Sequence, residues 1–319
     1  MIGERVGRAS ALSMLHEGKT VDGFINLLKP PGMTSSDAVV RVRKLLPRGT
    51  RVGHGGTLDP DAAGVLPICV GRGTRLFDYL IDKKKTYIAE GCLGIETDTQ
   101  DATGRVVARA EAHVNEAEIR RAMEKLTGDI LQVPPMYSAI QKDGRRMYEL
   151  ARKGERAELS PRPARVDAFE YLRATGPDRF LARIECGKGV YVRTLLHDLG
   201  RILGCGAHMA FLLRTRAGAF EIESAVTPEE LAANLPGALL PLDAAVKHLP
   251  EVNVNPSCGR WLLNGNPVSL CDLDRVPPPD EPVRVYLDGA FVAVAQAGAD
   301  GWLRVRAMLA GPEKQEGAT

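Results

Sequence analysis

Strand-like and helical stretches alternate along this 319-residue chain without settling into a repeat, and that irregular order constrains its fold more than any other feature. Gly23 to Leu28 reads as a strand, halted by Lys29-Pro30-Pro31-Gly32, because adjacent prolines followed by glycine cannot extend a ladder and make a rigid turn. Thr34 to Asp37 offers helix N-caps, and Ala38 to Leu46 carries helical spacing up to Pro47. Val65 to Val70 is apolar, and Thr86 to Ile95 and Arg105 to Arg109 resemble strands. Helical patterns follow over Asn115 to Leu126 and Met147 to Lys153, strand-like ones over Phe180 to Cys186 and Val190 to Arg193, and a helix over Leu195 to Leu203 with Gly204 as its stop. Distant strands with helices between them predict an α+β fold, a mixed or antiparallel central sheet with flanking helices, rather than a βαβ repeat.

The end of the chain is patterned differently. Pro256 to Asn264 predicts a short helix stopped at Gly265-Asn266. Val283 to Leu287 and Ala290 to Val294 alternate around Asp288-Gly289, a strong hairpin signal, and Asp300-Gly301 turns the chain into Trp302 to Met308. This stretch predicts a small β-barrel-like module, with Pro277-Pro278-Pro279 as a loop.

Apolar residues make up 44% and charged residues 26%, enough for a folded core. The formal net charge of +2 does not announce a nucleic-acid binder, although a local basic face still binds phosphate. The six cysteines form no C-x-x-C pair, so neither a zinc ribbon nor a thioredoxin-like site is expected. No apolar run is long enough to span a bilayer, and the N-terminus lacks the apolar core of a signal peptide, so a cytoplasmic protein is expected.

The richest segment is Val52-Gly53-His54-Gly55-Gly56-Thr57-Leu58-Asp59-Pro60-Asp61-Ala62-Ala63-Gly64-Val65-Leu66. Its glycines allow positive φ or a close approach to a ligand, and Pro60 stiffens the chain beside Asp59. A carboxylate on such a loop suits a reactive group, but the residues alone favour Asp59 as the cap of a helix that begins at Pro60. Other chemistries fit poorly. Asp59-Pro60-Asp61 lacks the preceding apolar strand of a dehalogenase-type phosphatase. Asp98-Thr99-Gln100-Asp101 lacks the spacing and closing glutamate of a calcium loop, and Gly71-Arg72-Gly73 is a weak phosphate signal.

Gly53 to Pro60, continuing to Gly64-Val65-Leu66-Pro67, resembles the catalytic motif of TruB-type tRNA pseudouridine-55 synthases. Further blocks follow in that family's order: Lys29 to Ser35, Lys85-Thr86-Tyr87, Leu93-Gly94 with Thr97 to Gly104, Pro134 to Ala139, Gly187 to Thr194, and Gly204 to His208. The resemblance covers residues 22 to about 220, and the C-terminal module is similar in kind to the family's PUA-like domain. It implies an extension over 1–21, a catalytic domain over 22–249, a PUA-like RNA-binding domain over 250–311 and a disordered tail over 312–319.

The resemblance implies isomerisation of one T-loop uridine of tRNA, with Asp59 as the catalytic carboxylate and no metal or cofactor. It implies no obligatory protein partner, and a monomer is expected. Arg193 is expected to orient Asp59, Tyr87 to stack on the uracil, and Tyr191 and Leu212 to line the pocket. On the residues alone, Arg193 also reads as a surface strand end, Tyr87 as half of a cross-strand aromatic pair, and Leu212 as core. His54 is expected against the RNA or in a structural role. Lys29 and the basic run Arg41, Arg43, Lys44, Arg48 and Arg51 are expected at the RNA, as are Lys142, Arg145 and Arg146, although solvated faces account for such runs too. The motif departs from the family at Gln141, where lysine is usual, and at Leu213, where arginine is usual. An RNA-binding or tRNA-folding protein with this fold and little turnover is the competing reading.

Overall fold

The computed structural model describes residues 21–80, 83–135 and 159–310, together with the backbone of 81, 141–142 and 145–146. The expected extension over 1–21 (apart from Val21), the helix expected over 147–153 and the tail over 312–319 lie outside the described residues.

Strand β1 (Gly23–Lys29) is buried along nearly its whole length and ends where Pro30 removes a ladder donor. Helix α1 (Ser35–Arg43) begins three residues earlier than its apolar spacing predicts. Thr34 and Asp37 form a capping box, which satisfies the first amide groups and lets Ser35 and Ser36 enter the helix. Strands β2 (Val52–His54) and β3 (Ala63–Val70) flank the glycine-rich loop, and a 3₁₀ stretch over Gly71–Leu76 leads into α2 (Phe77–Ile81). The strand expected from Thr86 to Ile95 is two, β4 (Lys85–Leu93) and β5 (Ile95–Thr97), broken at Gly94, whose φ of 78° and lack of a side chain admit the Ala110 carbonyl. Then come β6 (Val106–Arg109), α3 (Glu116–Lys125), capped by Asn115, and β7 (Gly128–Gln132). The short pair β8 (Gln141–Lys142) and β9 (Arg145–Arg146) precedes the long antiparallel strands β10 (Arg162–Gly176) and β11 (Arg179–Cys186).

Helix α4 (Val192–Leu203) ends at Gly204 in the left-handed region, as expected, but its start corrects the expected strand over Val190 to Arg193. Strand β12 (Ala207–Ala217) and the two-residue β13 (Phe220–Glu221) complete the main sheet, and α5 (Pro228–Ala233) and α6 (Leu235–Ala238) lead out of it. The C-terminal module contains β14 (Glu251–Asn253), α7 (Gly259–Leu263), β15 (Val268–Ser269), β16 (Pro282–Leu287), β17 (Ala290–Ala297) and β18 (Trp302–Met308). Asp288 and Gly289 both adopt positive φ in the β16–β17 turn, as their dipeptide predicts.

The main sheet runs β1-β3-β12-β4-β11-β10-β7, with β2 also on β3 and β13 on β12. Its pairs are antiparallel except β12 with β3, so the α+β, mixed-sheet expectation holds. One buried cluster joins α1, α3 and α4 to the sheet. A second joins Phe24, Val65, Cys69 and Leu76 to Val246 and Leu249, and to Val294, Ala307 and Leu309 of the C-terminal module. The module's five strands, in the order β14-β16-β17-β18-β15, form a curled half-barrel that has two edges, and residue 249 is no seam in the packing. Among the described residues, no helix is long and apolar enough to cross a membrane.

Candidate active site

The loop between β2 and β3 carries Asp59, and no helix begins at Pro60. The Ala62 amide donates to the Asp59 carbonyl at 3.2 Å, closing a turn that delivers the chain into β3 at Ala63. Leu58 and Ala62 are buried in the main core on either side, which leaves Asp59 half-buried and not a helix cap.

Arg193 reaches this carboxylate from the first turn of α4. Its Nε lies 2.9 Å from Oδ2, and Nη2 donates to Oδ1 at 3.2 Å. The residue is 5% exposed, so the surface strand-end reading fails. Its Nη1 donates to the Thr99 carbonyl at 3.3 Å and to Asp101 Oδ2 at 3.4 Å. Asp101 in turn accepts at Oδ1 from the hydroxyls of Thr99 and Thr103 and from the Thr103 amide. Burial pushes the Asp59 carboxyl above its ordinary value and outweighs the Arg193 charge, with the Asp101 charge acting in the same direction as burial.

Tyr87 lies in register with Ile184 on one side and Arg214 on the other, so it makes no cross-strand aromatic pair. Burial raises its phenol above the ordinary value, against the pull of the Arg214 charge and hydrogen bond. Leu212 sits two residues before Arg214 on the same face of β12, buried in the cluster that holds Tyr87 and Leu58. Tyr191 is the N-cap residue of α4, and its backbone is gripped by the buried Gln132. The Tyr191 amide donates to Oε1 at 2.8 Å, and Nε2 donates back to the Tyr191 carbonyl at 3.1 Å.

Lys29 corrects its expected place at the RNA. It is fully buried, and its Nζ donates to the carbonyls of Pro30, Met33 and Pro60 at 2.9, 2.6 and 2.9 Å. A lysine that saturates its donors on backbone inside the protein has none left for a phosphate. Burial lowers it to about 8, offset in part by the Asp61 and Asp59 charges. His54 is half-buried. Its Nδ1 has no hydrogen-bond partner among the described residues, and burial, together with the Arg214 charge, lowers its pKa.

Arg41, Arg43, Lys44, Arg48 and Arg51 are all exposed. Arg41 is paired with Glu229 at 2.7 Å, and Arg43 donates to the Val52 carbonyl at 3.4 Å. The side chains of Gln141, Lys142, Arg145 and Arg146 lie outside the described residues, whose backbone pairs Gln141 with Arg146 and Lys142 with Arg145. Leu213, the other departure, is half-buried between Ala63 and Ile88. Sequence reasoning did not single out Asp101, Gln132, Ser35 or Arg214 as site residues. Their signal was only their place inside or beside recognised motif blocks, because each acts on a segment far away in the chain.

Comparison with known proteins places this geometry. A family model described as the N-terminal domain of TruB family pseudouridylate synthases matches residues 43–192, and one described as the tRNA pseudouridylate synthase B C-terminal domain matches residues 193–247. A relative from Aromatoleum aromaticum named tRNA pseudouridine synthase B is 42% identical over 92% of this chain and 94% of its own. A protein of the same name from Symbiobacterium thermophilum is 49% identical over 77% of this chain and 82% of its own. Among solved structures, a chain of a Cbf5-Nop10-Gar1 complex aligns with a TM-score of 0.68 at 29% identity, covering 86% of this chain and 78% of that one. A chain of an H/ACA RNP bound to a substrate RNA containing 2′-deoxyuridine aligns at 0.70 and 26% identity, covering 91% and 86%. With that identity to the Aromatoleum relative across nearly its whole length, and the matched segment holding both Asp59 and the strand of Tyr87, the chain belongs to the TruB family of pseudouridylate synthases.

Proposed function

We propose that this protein isomerises uridine 55 in the T-loop of tRNA to pseudouridine, with Asp59 as the catalytic carboxylate. The reaction breaks the C1′–N1 bond, turns the uracil and joins C5 to C1′, after which C5 gives up its proton and N1 takes one up, so that no atom is gained or lost overall. It is redox-neutral and calls for no cofactor. A carboxylate suits it because an anion beside C1′ stabilises positive character there, attacks that carbon or takes a sugar proton. The observation that carries this reading is the two-point hold of Arg193 on Asp59, which keeps a carboxylate oriented in a site where burial opposes its charge.

Tyr87 stacks on the extruded uracil, with Leu212 and Tyr191 shaping the same pocket. Extrusion costs a few kcal/mol of stacking, offset by phosphate contacts from the exposed face of Arg41, Arg43, Lys44 and Arg48, with His54 near the displaced nucleotide. Lys142, Arg145 and Arg146 contact the same stem. The C-terminal module, from about residue 250, is a PUA-like domain that adds RNA affinity, and the protein works as a monomer in the cytoplasm. Incubating the purified protein with unmodified tRNA transcript and mapping pseudouridine tests the reading. Conversion at position 55 alone is expected, and a protein that binds the transcript yet leaves every uridine unchanged is an RNA-binding protein instead.

A further inference from the structure

The loop that carries Asp59 has no ladder to hold it, yet side chains and amides from elsewhere occupy its carbonyl groups one after another. The Gly56 and Thr57 carbonyls accept from Arg214 Nη2 and Nη1 at 3.1 and 3.2 Å. The Leu58 carbonyl accepts from Ser35 Oγ at 3.0 Å, and the Leu58 amide donates back to the same oxygen at 2.9 Å. The Asp59 carbonyl closes the turn with Ala62, and the Pro60 carbonyl takes the Lys29 ammonium and the Gly32 amide. On the far side of the loop, the Val65 carbonyl accepts from Arg214 Nε at 2.7 Å.

Arg214 is fully buried, and its guanidinium donates to three backbone carbonyl groups and also hydrogen-bonds the Tyr87 side chain. The planar fork suits that task, since its donors are fixed relative to one another and reach several acceptors at once, whereas an ammonium is a single point. The backbone under it is equally fixed. Arg214 pairs with Gly64 across β12 and β3, and a Cβ on Gly64 would stand 2.2 Å from the Arg214 carbonyl oxygen. Arg214 also lies opposite Tyr87 in the β12–β4 register. One side chain therefore ties the Asp59 loop to the strand of Tyr87.

We infer that Arg214 and Ser35 are positioning residues of the isomerisation, holding the Asp59 loop by its carbonyl groups so that the carboxylate and Tyr87 keep their spacing. The inference rests on the proposed reaction. A catalytic group displaced by about 1 Å loses about 100-fold in rate while binding contacts made elsewhere persist. A merely structural role would change the folded fraction and leave the rate of each folded molecule alone.

The test uses the full chain with Arg214→Lys and, separately, Ser35→Ala. It reads thermal unfolding, tRNA affinity, and the single-turnover rate at saturating enzyme per folded molecule. Expected is a fall of about 100-fold for Arg214→Lys and about 10-fold for Ser35→Ala, with tRNA affinity within about threefold of wild type. If Arg214→Lys does not fold, Ser35→Ala decides, because it removes one hydroxyl and no charge. A folded variant of either kind that reacts within about threefold of wild type overturns the inference, as does a loss confined to affinity. A wild-type protein that makes no pseudouridine in the same assay overturns the proposed reaction instead, and this inference falls with it.

Discussion

Arg193 meets Asp59 fork to fork, with Nε 2.9 Å from one carboxylate oxygen and Nη2 3.2 Å from the other. Two parallel contacts fix the plane of the carboxylate, which a single lysine could not do. The same guanidinium also touches Asp101, so it does not depend on Asp59 alone for a counter-charge.

Asp59→Asn is expected to abolish pseudouridine formation and leave tRNA affinity within a small factor of wild type, because phosphate and stacking contacts dominate RNA affinity. Removing one member of a buried ion pair usually costs about 3–5 kcal/mol. Here the cost should fall well below that, since Asp101 remains beside Arg193 and burial already disfavours the Asp59 charge. Activity and thermal unfolding measured on one preparation check both halves. A folded variant that turns over at the wild-type rate would falsify the assignment of Asp59.

The acid limb of activity should lie above the ordinary carboxylate value of 3.8, because the Asp59 carboxyl is raised in the fold and must ionise to act. The sign for stability is opposite. Between the unfolded and folded values the native protein holds the extra proton, so stability from this group is present below that window and is lost as pH rises through it. Asp59→Asn removes that slope. The difference in unfolding temperature between variant and wild type should therefore move in the variant's favour as pH rises from 3.8, and a difference flat with pH counts against a raised value.

Lys29 predicts an alkaline limb. Its pKa falls from 10.5 to about 8, and the neutral amine has too few donors for the three carbonyls it now holds. Activity should decline as pH rises through about 8. Because the folded value is the lower one, the unfolded chain binds more protons between about 8 and 10.5, and this group makes the fold more stable, not less, across that range. Alkaline loss of rate without loss of unfolding temperature is the expected signature, and Lys29→Arg, where it folds, should move the limb upward. A limb unmoved by that change assigns it to another group.

Binding should weaken with salt, and Lys44 and Arg48 should contribute more to the slope than Arg41, whose guanidinium is already paired with Glu229. Each lost phosphate contact lowers the slope of log affinity against log salt by roughly 0.7 to 0.9. Titrations of Lys44→Ala with Arg48→Ala against Arg41→Ala alone compare the two directly. Equal slopes for all the variants and the wild type would remove this face from the interface.

A chain ending at Leu249 should be poorly stable, because Val294, Ala307 and Leu309 complete the core over Phe24, Val65 and Cys69. Val65 lies near the start of β3, directly after the Asp59 loop, so the module braces that strand. Leu309→Ala in the full chain should cost about 2–5 kcal/mol, the usual range for a buried leucine. Chemical denaturation of that variant gives the number, and a cost under about 0.5 kcal/mol, the range of surface changes, would show that the module packs independently.

What the residues determined alone is what local chemistry decides. The Thr34 cap, the Gly204 stop, the Asp288-Gly289 turn and the α+β order are legible because each is set within a few residues by propensity, capping or allowed φ. The motif resemblance marked Asp59, Tyr87 and Arg193 without showing how they meet. Tertiary structure decided the rest. Strand β12 carries no clear alternating signal, yet it lies in the middle of the sheet, since strand formation depends on the neighbours that flank it. Val190 to Arg193 has strand-like composition but opens a helix, where Gln132, from 59 residues away, holds the Tyr191 backbone. Lys29 has the charge of an RNA contact and the burial of a core residue, and Arg214 reaches the carbonyl groups of Gly56, Thr57 and Val65 because β12 lies against β3. In each case the deciding interaction joins segments far apart in the chain, and spacing along the sequence does not encode which carbonyl a buried cation will find.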